Sequence, residues 1–129
     1  MTAQVVTLPV ELNQWDAEVK QVSWDWMTDS VNGAIVGAVT TKKFNGILIG
    51  FEAIPDPSGT TPTAAYTFTV KREDGVDILR GLGVGSTTAT APVYKVYSDG
   101  LGAVVNSTLT LAVAAAGNSK GGILNLFFA

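Results

Sequence analysis

The side chains able to do chemistry are few in this chain, and their spacing decides what they can do. Ser86 closes a glycine-rich stretch, Gly81-Leu82-Gly83-Val84-Gly85-Ser86. Glycines that cradle a phosphate need a strand before them and a helix N-terminus after them, so that amide dipoles converge on the anion. Here the next residues are Thr87-Thr88-Ala89-Thr90-Ala91-Pro92, a poor helix, and the Gly-Lys-Ser/Thr ending of a phosphate loop is missing. The stretch reads as a mobile loop of small residues. Ser86 is also no ordinary hydrolytic nucleophile. The chain has no His to take its proton, and the Gly-x-Ser-x-Gly elbow is absent.

Two carboxylates at the right separation suffice for glycoside hydrolysis. Asp16, Glu18, Asp25 and Asp29 lie near Trp15, Trp24 and Trp26, whose rings could stack on sugars. Trp24 and Trp26, however, share the parity of Val22, which sends all three toward a core. Trp15 falls off that pattern and is left as an exposed candidate. Asp74 and Asp77 flank a turn without the closely spaced oxygen ligands of a calcium loop, so no metal and no cofactor is expected. Asn106-Ser107-Thr108 matches a glycosylation sequon, a three-residue pattern that recurs by chance.

Composition narrows the classes further. The 129 residues fit one domain and contain neither Cys nor His, which removes thiol chemistry, most zinc sites and the commonest general base. Catalysis is therefore not expected. Eight basic and eleven acidic residues leave a net charge of −3, and no basic run exceeds two residues, so a nucleic-acid partner is not expected. No apolar stretch approaches a membrane span, and the N-terminus lacks the pattern of a signal peptide. Charged residues make up only 15% of the chain, against about 25% in ordinary soluble domains. With a mean hydropathy of +0.30, such a protein is expected to cover part of its outside against partners.

The elements that must position these residues are strands. Short runs of Val, Ile, Thr and aromatic residues alternate with Gly, Pro, Asn and Asp. Strands are predicted over 4–12, 20–27, 34–40, 47–54, 64–71, 76–79, 92–97, about 109–113 and 123–128. Residues 13–17 read as a loop or one helical turn, and Pro55 to Pro62 as the longest loop. Residues 73–75 read as the strongest hairpin turn and Asp99-Gly100 as a second one. Eight or nine short strands spaced by turns predict an antiparallel, jelly-roll-like β-sandwich in a single domain, residues 1–129. Residues 1–12 form an extended arm or edge strand, because Pro9 cannot donate to a ladder. The last strand is apolar on both parities, Leu124, Leu126 and Phe128 against Ile123 and Phe127. It is either a central strand covered on both sides or one whose second face meets a partner.

Two segments carry a resemblance. Leu109-Thr110-Leu111-Ala112-Val113 leads through Ala116-Gly117-Asn118 to Ile123-Leu124-Asn125-Leu126-Phe127-Phe128. This resembles the closing hairpin of small structural proteins of tailed bacteriophages. Pro62 to Leu82 is similar to the same group, with Ala-Tyr-Thr-Phe-Thr-Val, an Asp-Gly turn, Val-Asp-Ile-Leu and a glycine-rich loop, and Trp24 to Ser30 is a weaker match. The resemblance implies a decoration or cement protein of the virion, made in the host cytoplasm and placed on the capsid surface. Its implied partners are the major capsid protein and further copies of itself, as a dimer or trimer. Contacts are expected from the arm (Val5, Leu8, Pro9), the proline loop (Pro55, Pro57) and the second face of the last strand (Ile123, Phe127). A tail or neck component, or a carbohydrate- or receptor-binding sandwich led by Trp15, Tyr94 and Tyr97, are the alternatives.

Overall fold

A computed structural model describes residues 3–12, 20–56, 60–63, 66–83 and 92–129, with residues 9–12 as backbone. Nine strands run through them: β1 (Val5–Leu12), β2 (Lys20–Met27), β3 (Ile35–Val39), β4 (Phe44–Pro55), β5 (Thr67–Lys71), β6 (Val93–Val96), β7 (Val104–Ser107), β8 (Thr110–Ala114) and β9 (Gly121–Phe128). All their pairings are antiparallel. One sheet has the order β1-β2-β9-β4, with β6 and β7 both on the far edge of β4. The other has the order β3-β8-β5. From β2 onward the chain crosses between sheets at almost every step, the winding of a jelly roll.

The alternation explains why two layers form. Val22, Trp24 and Trp26 of β2, Leu124, Leu126 and Phe128 of β9, and Leu48, Phe51 and Ala53 of β4 are all buried on one face. They meet Ile35, Leu111, Val113, Phe68 and Val70 from the second sheet. Aromatic contacts tie the layers: Phe51 packs edge-on against Phe68 with centroids 5.4 Å apart, and Trp26 lies 5.6 Å from Tyr66. The one polar group that Trp24 brings into the core is satisfied, since its indole N–H donates to the Ala38 carbonyl at 3.2 Å.

A glycine lets β9 sit at the centre of its sheet. Gly122 stands opposite Trp26 and Pro55. A Cβ there would lie 2.7 Å from the Ile54 carbonyl oxygen and 3.1 Å from the Trp26 ring. The indole fills the room that a side chain would take.

Sheet edges are closed by side chains as well as by strands. The Gln4 amide donates to the Val36 carbonyl and accepts from the Val36 N–H, both at 3.0 Å. A side chain thus caps the open edge of β3, next to its bulge between Ile35 and Ala38. The arm predicted for residues 1–12 is, from Val5 on, an edge strand on β2 clipped to the other sheet. A bulge sets in between Thr7 and Val10, around Leu8 and Pro9, where proline's missing donor does least harm.

Three expectations need correction. The strand over 76–79 is reduced to a single bridge, Lys71 with Asp77. The Asp77 carboxylate accepts from the amides of Val70, Leu79 and Gly81 and so folds the chain into turns. These turns bury Ile78 and Leu79 side by side, which a strand's alternation forbids. Asp99-Gly100 does not join a hairpin either. β6 and β7 lie end to end along β4, a single strand interrupted by a 3-10 turn over Tyr97–Asp99 and the loop after it. Finally, β4 begins at Phe44 rather than Ile47, because β7 pairs with its first residues. The predictions for residues 13–17 and for Ser86 fall outside the described residues.

Candidate functional site

The strands whose inner faces build the core also present an outer face, and the register fixes what stands there. One row across it is Thr7, Asp25, Ile123 and Ile54. The next is Ser23, Asn125, Glu52 and Tyr94, and the third is Gln21, Phe127, Gly50 and Val96. Ile54, Ile123 and Phe127 are half-buried, whereas Tyr94 and Val96 are 62% and 52% exposed. Large apolar groups therefore surround a polar row.

That row is joined by hydrogen bonds. From the neighbouring row the Gln21 Nε2 donates to the Ser23 hydroxyl at 3.2 Å. Ser23 donates to the Asn125 Oδ1, and Asn125 Nδ2 donates to Glu52 Oε1 at 3.2 Å. From the other side Tyr94 stands cross-strand from Glu52, and interaction with that carboxylate, with some desolvation, raises the phenol's pKa above its ordinary value. Every donor along the row points toward the one carboxylate. Such a chain polarises itself and holds each side chain in one orientation.

The expected contact residues fall into different surroundings. Ile123 and Phe127 stand on this outer face, so β9 is a central strand whose second face is only half covered. Val5 is 53% exposed at the outermost edge. Leu8 instead packs against the core. Pro55 ends β4 opposite Gly122 and is half-buried, while Pro57 lies outside the described residues. The proline loop is anchored at both ends: Asp56 N–H donates to the Gly121 carbonyl, Gly121 N–H to that of Thr60, and the Thr60 hydroxyl to the Asp56 carboxylate.

The acidic residues weighed for catalysis are dispersed. Asp25 is exposed on the outer face. Asp29 caps a turn by accepting from the amides of Val31, Asn32 and Gly33. Desolvation pushes its pKa up, but those bonds outweigh it and leave the carboxyl below its ordinary value. Asp74 is lowered chiefly by its hydrogen bonds to Arg72, a two-point pair at 2.8 and 3.2 Å. Asp16, Glu18 and Trp15 lie outside the described residues. Among those described, no cluster of three or more acidic groups is placed to hold a metal ion, and no helix is long and apolar enough to cross a membrane.

No family model, curated protein or solved structure matches the chain.

Sequence reasoning does not single out the bonded chain of Gln21, Ser23, Asn125 and Glu52. A signal is there: Asn125 and Glu52 are each the lone polar residue within an apolar run of a central strand. Only the pairing register shows that they are neighbours.

Proposed function

We propose that this chain is a structural virion protein that binds and stabilises the capsid shell of a tailed phage, as a decoration or cement protein, acting through contact rather than catalysis. The observation that carries the reading is the outer face of the six-stranded sheet, where Ile54, Ile123 and Phe127 stand half-exposed beside Val96. Covering such a face removes apolar area from water, a gain of about 25 cal/mol per Å². The resemblance of the β8–β9 segment, whose two strands lie in different sheets rather than in a hairpin, and of the β5 region to phage structural proteins supports this class of partner. Repetition of one modest contact over a shell then multiplies its strength through avidity.

Co-sedimentation with empty phage heads tests this. The wild type should pellet with heads and raise their resistance to heat. Phe127→Asp with Ile123→Asp should abolish both effects while the isolated protein keeps its far-ultraviolet spectrum. Pelleting undiminished by the double substitution would remove the outer face from the reading. A mass measurement separates this from a tail or neck role, since a cement protein should form a small closed oligomer and a tube subunit should grow into rings or longer stacks.

A further inference from the structure

We infer that the cleft beside Asp25 and Asp56, at the β1 corner of the outer face, is a socket for an arginine side chain of the partner protein. The inference deepens the proposed contact role and rests on it for the partner being a protein surface.

The cleft has a volume of about 210 Å³ and is lined by Val5, Thr7, Asp25, Met27 and Asp56, with Trp26 beside them. Sites for drug-sized ligands run to about 300–1,000 Å³, so this room suits one long side chain rather than a free metabolite. Register places it on the outer face. Val5 stands opposite Met27 and Thr7 opposite Asp25, while Met27 and Asp25 stand opposite Gly121 and Ile123 of β9. Gly121 admits the second carboxylate. A Cβ there would lie 2.5 Å from Asp56 Oδ2, so the missing side chain is what lets Asp56 lie over β9.

The two acids are placed but not neutralised. The Asp56 N–H donates to the Gly121 carbonyl at 3.1 Å, and its Oδ2 accepts from the Thr60 hydroxyl at 3.0 Å. That fixes the carboxylate and leaves Oδ1 without a donor among the described residues. Asp25 is exposed, and among the described residues it makes no hydrogen bond and no ion pair. The ion pairs that are present, Lys43 with Glu73 and Arg72 with Asp74, gather near the first residues of β4, whereas Asp56 follows its last. In the three rows of the outer face Asp25 and Glu52 are the only charged groups, and both are acidic.

A surface docked here takes these carboxylates out of water, which is costly unless it brings the opposite charge. A second copy presenting the same face would set acid against acid. Arginine fits better than lysine. Its guanidinium carries five donors in a rigid fork, enough for two carboxylates, and sheds water more readily than an ammonium. Its methylene stem can lie along Val5, 53% exposed at the mouth, and Met27. Ile123, half-buried beside Asp25, continues the apolar contact.

The test is NMR titration of labelled protein with a blocked Leu-Arg-Leu peptide, its citrulline analogue and its lysine analogue. Citrulline keeps the shape of arginine and lacks the charge. The arginine peptide should shift the amides of Val5, Asp25, Met27 and Gly121. It should bind about tenfold more tightly than the citrulline peptide, a few fold more tightly than the lysine peptide, and more weakly in about 0.5 M salt. Asp25→Asn should lower the affinity about tenfold with an unchanged melting temperature, and should weaken co-sedimentation with heads. No binding of the arginine peptide, equal affinity for the citrulline peptide, shifts centred elsewhere, or affinity that survives Asp25→Asn would each overturn the socket, even if the wild type still pellets with heads. Arginine-selective binding at these residues by a wild type that does not pellet would instead overturn the capsid reading and leave the socket to another protein partner.

Discussion

The two faces of the six-stranded sheet are made by the same strands and obey opposite demands. On the inner face of β2, β9 and β4, residues from Val22 to Phe128 are at most 3% exposed, and an indole closes over a glycine. On the outer face the positions between them hold large apolar groups in half exposure and a hydrogen-bonded polar row. Only the inner face is needed to fold the chain. The outer face of the smaller sheet makes the contrast sharper, because there β5 and β8 present Thr67, Thr69, Thr110, Ala112 and Ala114, with the charged Lys71 at the end of β5. Small and β-branched residues suffice for a strand in water. The larger groups on the six-stranded sheet exceed that requirement, which is why the proposed contact is put there.

If the inner face alone governs folding, crowding it should be the most damaging change. Gly122→Ala puts a methyl group 2.7 Å from a backbone oxygen, which the Ile54 strand cannot yield without leaving β9. Overpacking of this kind costs up to about 3 kcal/mol. Chemical denaturation should show a lower midpoint by that amount; a loss under about 1 kcal/mol would mean that the Trp26 lid is loosely held.

Alkali should attack the same interior next. Burial pushes the Tyr66 phenol up to about 12, with the negative charge of Asp56 adding to the effect. Its unfolded value is about 10. The folded state thus favours the neutral phenol, so the contribution is complete below about pH 10 and disappears as pH rises from there through about 12. The loss amounts to about 2–3 kcal/mol. Stability measured against pH should fall more steeply in that window for the wild type than for Tyr66→Phe, and parallel curves would contradict it.

On the outer face the same kind of truncation should matter far less to folding. Phe127→Ala removes a half-buried ring and should cost about 1 kcal/mol in the isolated protein. Thr69→Ala on the small sheet should stay within about 0.5 kcal/mol. Denaturation midpoints of the two variants decide whether Phe127 serves the fold. A cost above about 3 kcal/mol would make it a core residue and remove the contrast.

Much of this is legible in the residues. The alternation of Val22, Trp24 and Trp26 and of Leu124, Leu126 and Phe128 predicts the inner face, because period two leaves no other arrangement. It does not predict Asp77, whose side chain redirects the backbone by taking three amides, a decision made by local hydrogen bonds that hydropathy does not encode. Nor does it reveal that β6 and β7 form one interrupted strand, since Asp99-Gly100 has the composition of a hairpin turn and only pairing with β4 shows otherwise. The polar row is hidden for a related reason. Its members are scattered from Gln21 to Asn125 and meet through register, which is a long-range property.

The finest test of the two faces uses one substitution twice. Gly50, like Gly122, lies in a central strand, but it stands on the outer row between Phe127 and Val96. A Cβ there would meet the Lys95 carbonyl oxygen at 3.4 Å and a Val96 methyl at 4.0 Å, ordinary van der Waals contacts although the position is buried. Its φ lies outside the left-handed region that favours glycine, so alanine introduces no strain. What remains is the unfolded chain, where glycine has more freedom to lose. Gly50→Ala should therefore be neutral or stabilise by up to about 1 kcal/mol, the opposite sign to Gly122→Ala in the same sheet.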